Sequence, residues 1–402
     1  MLLMLSTTAS AQQAAFYPMG RQYPVSEPVS FDYPLHVTNN GTVLGLLATT
    51  NPARDLGYTW TLNGGHELLQ GFGANDIAIV AYDADATGNY LVGQVVNTMN
   101  NPVIWIDRKP HNLIELMPNH HAIATNITPD GTTIIGTYMI LQSGNEMFML
   151  NDLKQFAFLG GIPGGTGSIT GGGPASLGGI SNDGLIGFGA AQTALGQEGA
   201  IWRRGNTWET LADLSGVPPY FASFSDSSAD GRVACGRSLD ASNAMHNIRW
   251  TRFHGWQDLG QGAGIQAMSD DGFILGDKQD AYGAAIWNPR DGWVSLREIL
   301  EVQHGVFVNW LNLGSVLAIS DNGEYIAGLG SNESNELEAF LAKLPAFCYA
   351  DCNADKELDI WDYLCFIDEY NKQSIYANCD NDGRMNIFDF ICFGNKFAEG
   401  CP

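Results

Sequence analysis

From residue 14 to residue 344 the apolar positions come in short runs, many alternating with polar residues and broken by turns rich in glycine, asparagine and aspartate. Short period-two runs between such turns predict β-strands rather than helices. The runs recur in a fixed order. An apolar strand leads to a turn closed by glycine. A second strand ends in glycine, a third often ends in tryptophan, and a fourth follows. One copy reads Ala267-Met-Ser-Asp-Asp-Gly-Phe-Ile-Leu-Gly276, Ala284-Ala-Ile-Trp287 and Gly292-Trp-Val-Ser-Leu296. Another reads Gly179-Ile-Ser-Asn-Asp-Gly-Leu-Ile-Gly187, Gly199-Ala-Ile-Trp202 and Trp208-Glu-Thr-Leu211.

Seven turn glycines mark the copies: Gly41, Gly88, Gly131, Gly184, Gly231, Gly272 and Gly323, spaced by 41 to 53 residues. The Asn and Asp residues before many of them accept the left-handed backbone of tight hairpin turns. Four short strands per unit of this length predict a propeller blade. Seven units predict an all-β, seven-bladed β-propeller over residues 14–344. The last copy stops after its third strand, Ala339 to Leu344. The unmatched segment Ala15 to Gly20 looks like the fourth strands Phe156–Gly160 and Trp256–Gly260. It is expected to pair with 339–344 and close the ring, removing the exposed sheet edges.

The pattern Ile-Ser-Asp-x-Gly, apolar-apolar-Gly, Ala-x-x-Trp and x-x-Leu-Gly resembles the HAF-type extracellular repeats. The resemblance covers about residues 14–344 and implies a propeller in an extracellular setting, with no defined activity. The third copy departs from it, with Phe148-Met-Leu150 where others have Trp. The turns also lack the Ser-x-Asp-x-Gly-x-x-Trp spacing of sialidase Asp boxes.

Candidate chemistry on the repeats is sparse. Trp60, Trp105, Trp202, Trp250 and Trp287 share one repeat position. They could stack sugars, but packing between neighbouring blades is expected. Long insertions at 160–168, 170–174, 215–221 and 297–314 should fall mostly on one face. Loops on a rigid scaffold tend to carry function, which makes Tyr220, His304 and Trp310 the binding candidates, with a glycan as ligand. His120 and His121 adjoin, so on a strand they face opposite ways and chelate poorly. Glycoside hydrolysis needs two carboxylates facing one bond. The long loops offer Asp213, Glu298 and Glu301, and no pair stands out. Cys235, in the apolar run Val233-Ala-Cys-Gly236, is expected to be a buried small residue.

Composition narrows the setting. The formal net charge of −24 argues against nucleic acid or an anionic membrane as partner. After the N-terminus no stretch approaches the ~20 apolar residues of a membrane span. Residues Met1 to Ala11 combine an apolar run with Ala-Ser-Ala, which predicts a secretory signal peptide cut after Ala11, with a short apolar run and without the usual basic start, as in a truncated one. Six of the seven cysteines fall between Cys348 and Cys401. In an exported chain this predicts a disulfide framework.

The same C-terminal stretch is duplicated. Residues 351–362 read Asp-Cys-Asn-Ala-Asp-Lys-Glu-Leu-Asp-Ile-Trp-Asp, and residues 378–389 read Asn-Cys-Asp-Asn-Asp-Gly-Arg-Met-Asn-Ile-Phe-Asp. Both place oxygen side chains at the ligand positions of an EF-hand loop. Two Ca2+ sites are expected. The first would use Asp351, Asn353, Asp355, Asp359 and Asp362 with the carbonyl of Glu357. The second would use Asn378, Asp380, Asp382, Asn386 and Asp389 with the carbonyl of Arg384. Charge favours the first loop, whereas Gly383, against Lys356 at the same position, favours the second. An amphipathic stretch follows each loop, Tyr363–Tyr370 and Phe390–Phe397.

A loop followed by one helix, duplicated, with Asp at the twelfth position, resembles the dockerin family over about residues 347–402. The cysteines at loop positions 2 and 15 depart from cellulosomal dockerins and look like the cysteine-bearing dockerin-like tails of planctomycete secreted proteins. Under the 27-residue shift Cys352 and Cys365 map onto Cys379 and Cys392, while Cys348 and Cys401 have no counterpart. The expected bridges are Cys348–Cys401, plus two within the repeats. The dockerin resemblance assigns partner contact to Ile360 and Trp361 in one repeat and Ile387 and Phe388 in the other. Packing of these residues on the linker or propeller is the alternative. The chain thus reads as a secreted binding or scaffold propeller, attached by its tail to an extracellular protein or cell-surface component. A polysaccharide-active propeller enzyme targeted by the same tail is the rival.

Overall fold

The computed structural model describes residues 13–401 apart from 51–52, 117–120, 141–143, 160–177, 206 and 280–282. The expected signal peptide, the glycine-rich insertion at 160–174 and His120 lie outside the described residues.

Antiparallel meanders follow one another along the chain. Val29–Val37 pairs with Val43–Thr50, which pairs with Ala53–Thr61, which pairs with Gly65–Leu68. The same order repeats over 78–112, 121–158, 220–261 and 267–295. Between them, a bridge from Ile180 to Gly187 stands where a first strand would be, ahead of Ile186–Thr193, Gly196–Arg203 and Thr207–Leu211. The last meander, Asn312–Ile319, Tyr325–Ser331 and Leu337–Lys343, takes its fourth strand from the N-terminus. Ala15 opposes Lys343 and Pro18 opposes Phe340, as the repeat pattern predicts. The Phe16 ring lies 5.3 Å from Trp310 and 5.6 Å from Phe340, so the closing strand is held by aromatic packing as well as by its ladder. The fold is a β-propeller with a small, disulfide-rich helical tail.

The turns between first and second strands share one construction. A hydroxyl three residues before the turn glycine donates to the side chain one residue before it. Thr38 meets Asn40, Thr128 Asp130, Ser181 Asp183, Ser228 Asp230, Ser269 Asp271 and Ser320 Asn322, at 2.6–2.8 Å. In the second copy the partners are exchanged, and Thr87 donates to Asp85 at 2.5 Å. Each turn glycine has a positive φ, 80° at Gly41 and 73° at Gly323, a backbone state other residues rarely adopt. Neighbouring turns are then linked main chain to main chain. The N–H of Asn182 donates to Ala229, that of Ala229 to Asp270 and that of Asp270 to Asp321, each at 2.8 Å. Asn322 N–H closes onto Asn39 Oδ1 at 2.9 Å. Pro129 accepts from Ala86 but has no N–H to pass on.

The five repeat tryptophans are buried between sheets. Their role is packing, and buried Leu150 stands at the equivalent position of the third copy, opposite Phe156 as Trp202 stands opposite Trp208. Indole N–H groups tie sheets together. Trp60 donates to Met19 and Trp105 to Gln70; Trp208, Trp256 and Trp293 donate to Leu159, Ala212 and Leu259. Cys235 is fully buried, as expected.

The tail has helices at Ile360–Asn371 and Ile387–Glu399. Each starts inside the loop, three residues earlier than the hydrophobic pattern suggested. The cause is a capping box. Asp359 caps the first helix and Asp362 reaches back to the Asp359 N–H; Asn386 and Asp389 do the same in the second. The bridges are Cys348–Cys401, Cys352–Cys365 and Cys379–Cys392, the predicted set. Phe366 and Phe393, 27 residues apart, stack at 4.2 Å. Tyr363–Phe397 and Tyr370–Phe390 are both 4.7 Å apart. Equal distances between residues related by the sequence repeat mean that the tail has an approximate two-fold axis.

Candidate metal loops and the central channel

In both tail loops alternate side chains fold back onto the loop's own N–H groups. Asp351 accepts from Asp355 and Lys356, Asn353 from Asp355, and Asp355 from Glu357. In the second loop Asn378 accepts from Gly383, Asp380 from Asp382, and Asp382 from Arg384. Lys356 takes φ 69°, close to the 84° of Gly383, so the loops share a backbone path despite the different residue. Asp362 and Asp389, the twelfth residues, are fully buried. Asp389 has Oδ2 on the Asn386 N–H at 2.8 Å, while Oδ1 has no partner among the described residues. Burial, with Asp380 and Asp382 nearby, raises its pKa. An orphaned oxygen facing further carboxylates suits a cation. As arranged, no three His, Cys, Asp or Glu side chains among the described residues are placed to hold a metal ion. The loop carboxylates are turned onto N–H groups, and part of the expected ligand set is asparagine or main chain.

Ile360 and Trp361 are 64% and 61% exposed; Ile387 and Phe388 have the same two values. They do not pack under the linker or on the propeller. Leu364 and Ile391, one turn further on, are also exposed, extending each patch along its helix. Only the paired residues at the helix starts were legible from the loop motif. The extension becomes visible once the helix register is known.

The tail sits on the propeller face formed by the turns of the last sheets before the closing one. Arg249, 1% exposed, donates to Gln257 at 2.7 Å and to Asn381 in the second tail loop at 2.5 Å. Burial lowers its pKa to about 10. Arg290 donates to the Asp351 carbonyl at 2.7 Å. Phe273 packs against Tyr349, with Lys396 over the ring.

The three propeller binding candidates are not brought together. Trp310 is a core residue, packed against Phe16 and Phe340. Tyr220 begins a first strand, paired in parallel with Gly196. His304 follows a short helical turn, and burial together with Lys356 lowers its pKa. Asp213 is a turn anchor, accepting from Ser215, Gly216 and Phe221 N–H groups. Glu301 pairs with Arg297 at 3.0 Å.

Residues that the sequence reading passed over line the central channel near its turn end. A cavity of about 160 Å3 is bordered by His36, Asp83, Asn126, Asp226, Asp270 and Asp321, among others. His36, Asp83, Asn126 and Asp226 each stand five residues before a turn glycine, a periodicity present in the sequence. Each follows a β-bulge in its first strand, and a bulge re-aims the side chain beside it. His36 Nδ1 lies 3.0 Å from Asp83 Oδ1. Asp83 accepts from the Ile127 N–H at 2.8 Å and Asp226 from the Met268 N–H at 2.9 Å, each reaching the next sheet. Burial pushes the Asp226 carboxyl up to about 7, with Asp270 and Asp83 adding to the effect. Burial and then Asp321 push Asp270 up to about 6, and burial raises Asp321 as well. Burial opposes a charge on His36, but Asp83, Asp321 and Asp226 outweigh it and raise its pKa.

No family model matches the sequence, and no curated protein matches it. Among solved structures the chain is similar to TolB from Acinetobacter baumannii, at 9% identity over 65% of this chain and 61% of that one, with a TM-score of 0.40. It is similar to an oligogalacturonate lyase in complex with manganese, at 10% identity over 83% and 97%, TM-score 0.48. A third is dipeptidyl peptidase 4 from Porphyromonas gingivalis, at 8% identity over 78% and 53%, TM-score 0.43. The chain thus spans less than two thirds of that TolB and of the peptidase. At these values none of the three bears on ligand or activity. No helix among the described residues is long and apolar enough to cross a membrane.

Proposed function

We propose that this chain is a secreted, seven-bladed β-propeller that binds or scaffolds without catalysis. Its dockerin-like tail, residues 347–402, takes two calcium ions and attaches it to an extracellular protein or cell-surface component. The observation that carries this reading is the pair of exposed apolar patches at Ile360–Trp361 and Ile387–Phe388. Each stands at the start of a helix whose first turn is fixed by a loop carboxylate, Asp362 or Asp389. Exposed apolar patches bordered by charge usually mark interfaces. The tail's seat on the propeller leaves both patches free. The three disulfides suit an oxidising compartment.

Bound calcium would neutralise the loop carboxylates and hold the loops in one shape. The chain's own residues do the rest: the capping boxes orient the helix starts, and the apolar pairs meet the partner. The test uses immobilised full chain and an extracellular or cell-wall fraction. Capture should require calcium and vanish in Trp361→Ala with Phe388→Ala, while calcium affinity stays nearly unchanged. Capture that persists in excess chelator, or in the double variant, overturns the reading.

The enzyme reading finds its best support in the channel carboxylates, Asp83, Asp226, Asp270 and Asp321. They lie near the turn end rather than on the face of the long loops. Their cavity of about 160 Å3 is also smaller than the ~300–1,000 Å3 of ordinary small-molecule sites. Binding is therefore the preferred function.

A further inference from the structure

We propose that the second tail loop is a calcium-dependent latch on the propeller, and that the propeller makes this loop the tighter of the two calcium sites. The inference rests on the reading that both loops take calcium.

The propeller grips the second loop between and at its ligand positions. Arg232 donates to the Asp380 carbonyl at 2.9 Å. Asn381 accepts from Arg249 at 2.5 Å and donates to the Asp271 carbonyl at 3.0 Å. The Arg384 guanidinium lies 3.9 Å over the Phe253 ring. At Gly383 the backbone comes so close that an added Cβ would lie 2.8 Å from Phe253 Cβ. Among the described residues the first loop has no such seat: Asn353, Ala354, Asp355, Lys356 and Glu357 are exposed, and Arg290 holds its first residue. The tail's two-fold symmetry is therefore broken by what covers one loop and not the other.

The gripped groups alternate with the expected ligands Asp380, Asp382 and the Arg384 carbonyl. Calcium and the propeller would thus select the same backbone path. Without an ion, Asp380, Asp382 and Asp389 repel one another and push that path apart. Two ligands that favour one conformation strengthen each other reciprocally, and a loop already held in its bound shape loses less freedom on binding. Charge alone would favour the first loop, with Asp351, Asp355, Asp359 and Asp362 against Asp380, Asp382 and Asp389. The seat on the propeller reverses that order.

The test uses the full chain in two single-loop forms. Asp355→Ala leaves the second loop intact, and Asp382→Ala leaves the first. Calcium affinity is read by competition with a chromophoric chelator. The Asp355→Ala chain should bind more tightly. Adding Arg232→Ala with Phe253→Ala should weaken it roughly tenfold, a loss of ~1.4 kcal/mol, and leave the Asp382→Ala chain within about twofold. In wild type, chelation should raise hydrogen exchange across residues 249–256 and 269–273, which lie under the loop. Equal affinities, or a second loop indifferent to the Arg232 and Phe253 changes, overturn the latch while leaving calcium binding standing. Failure of the wild-type chain to bind calcium overturns both.

Discussion

The phenol of Tyr349 donates to the main-chain carbonyl of Tyr376, and the phenol of Tyr376 donates to the carbonyl of Tyr349. Their rings stack at 4.6 Å with 13° between planes. The two residues are 27 apart, the period of the tail repeat. The approximate two-fold axis therefore passes through this pair and through the Phe366–Phe393 stack. Both tyrosines are buried, so each bond satisfies a carbonyl that water cannot reach.

Tyr376→Phe keeps the ring and removes one bond, leaving the Tyr349 carbonyl unpaired. The expected cost to tail stability is about 1–3 kcal/mol. Symmetry predicts a similar cost for Tyr349→Phe. Chemical denaturation of each variant, followed by tyrosine fluorescence, checks both the size and the near-equality.

The disulfide bridges make a second prediction. Replacing Cys379 and Cys392 together by Ala should destabilise the tail by about 2–4 kcal/mol and leave the propeller transition in place. Peptide mapping of the oxidised chain should recover Cys348 with Cys401, Cys352 with Cys365 and Cys379 with Cys392. Recovery of a bridge between the repeats would contradict the structure.

The closing strand makes a third. Phe16→Ala removes the ring that meets Trp310 and Phe340 and should cost on the order of 3 kcal/mol. Deleting residues 13–20 should do more, because it bares the edge of Leu337–Lys343 to pairing with other chains. Thermal melting and light scattering would show a lower midpoint and concentration-dependent aggregation.

The channel makes a pH prediction. Asp226 and Asp270 have folded-state pKa values raised to about 7 and about 6, above the ordinary 3.8. The folded state thus holds these protons more firmly than the unfolded chain does. Their contribution is full below about pH 4 and is lost as pH rises through 6 and 7. A raised His36 pKa acts in the same direction. For Asp226 the swing is on the order of 4 kcal/mol at most. Asp226→Asn should flatten the fall in melting temperature between pH 5 and pH 8. An unchanged slope would show that the carboxyl is not desolvated as placed.

The repeat glycines, the orphan segment at Ala15 and the cysteine spacing carry local information, and local information was enough for the strand order, the closing strand and the disulfide set. A turn needs its glycine, a strand needs its period, and a duplicated loop carries its own register. Three things were decided only in three dimensions. The channel cluster depends on β-bulges, which turn His36, Asp83, Asn126 and Asp226 inward and leave no distinct mark in an apolar–polar pattern. Trp310 read as a loop aromatic because its partners, Phe16 and Phe340, are far away in sequence. The inequality of the two tail loops comes from Arg232, Arg249 and Phe253, more than a hundred residues upstream. Sequence periodicity records what each residue requires of its neighbours along the chain. Which remote surface arrives to bury a residue is decided when the sheets close into a ring and the tail folds back onto it.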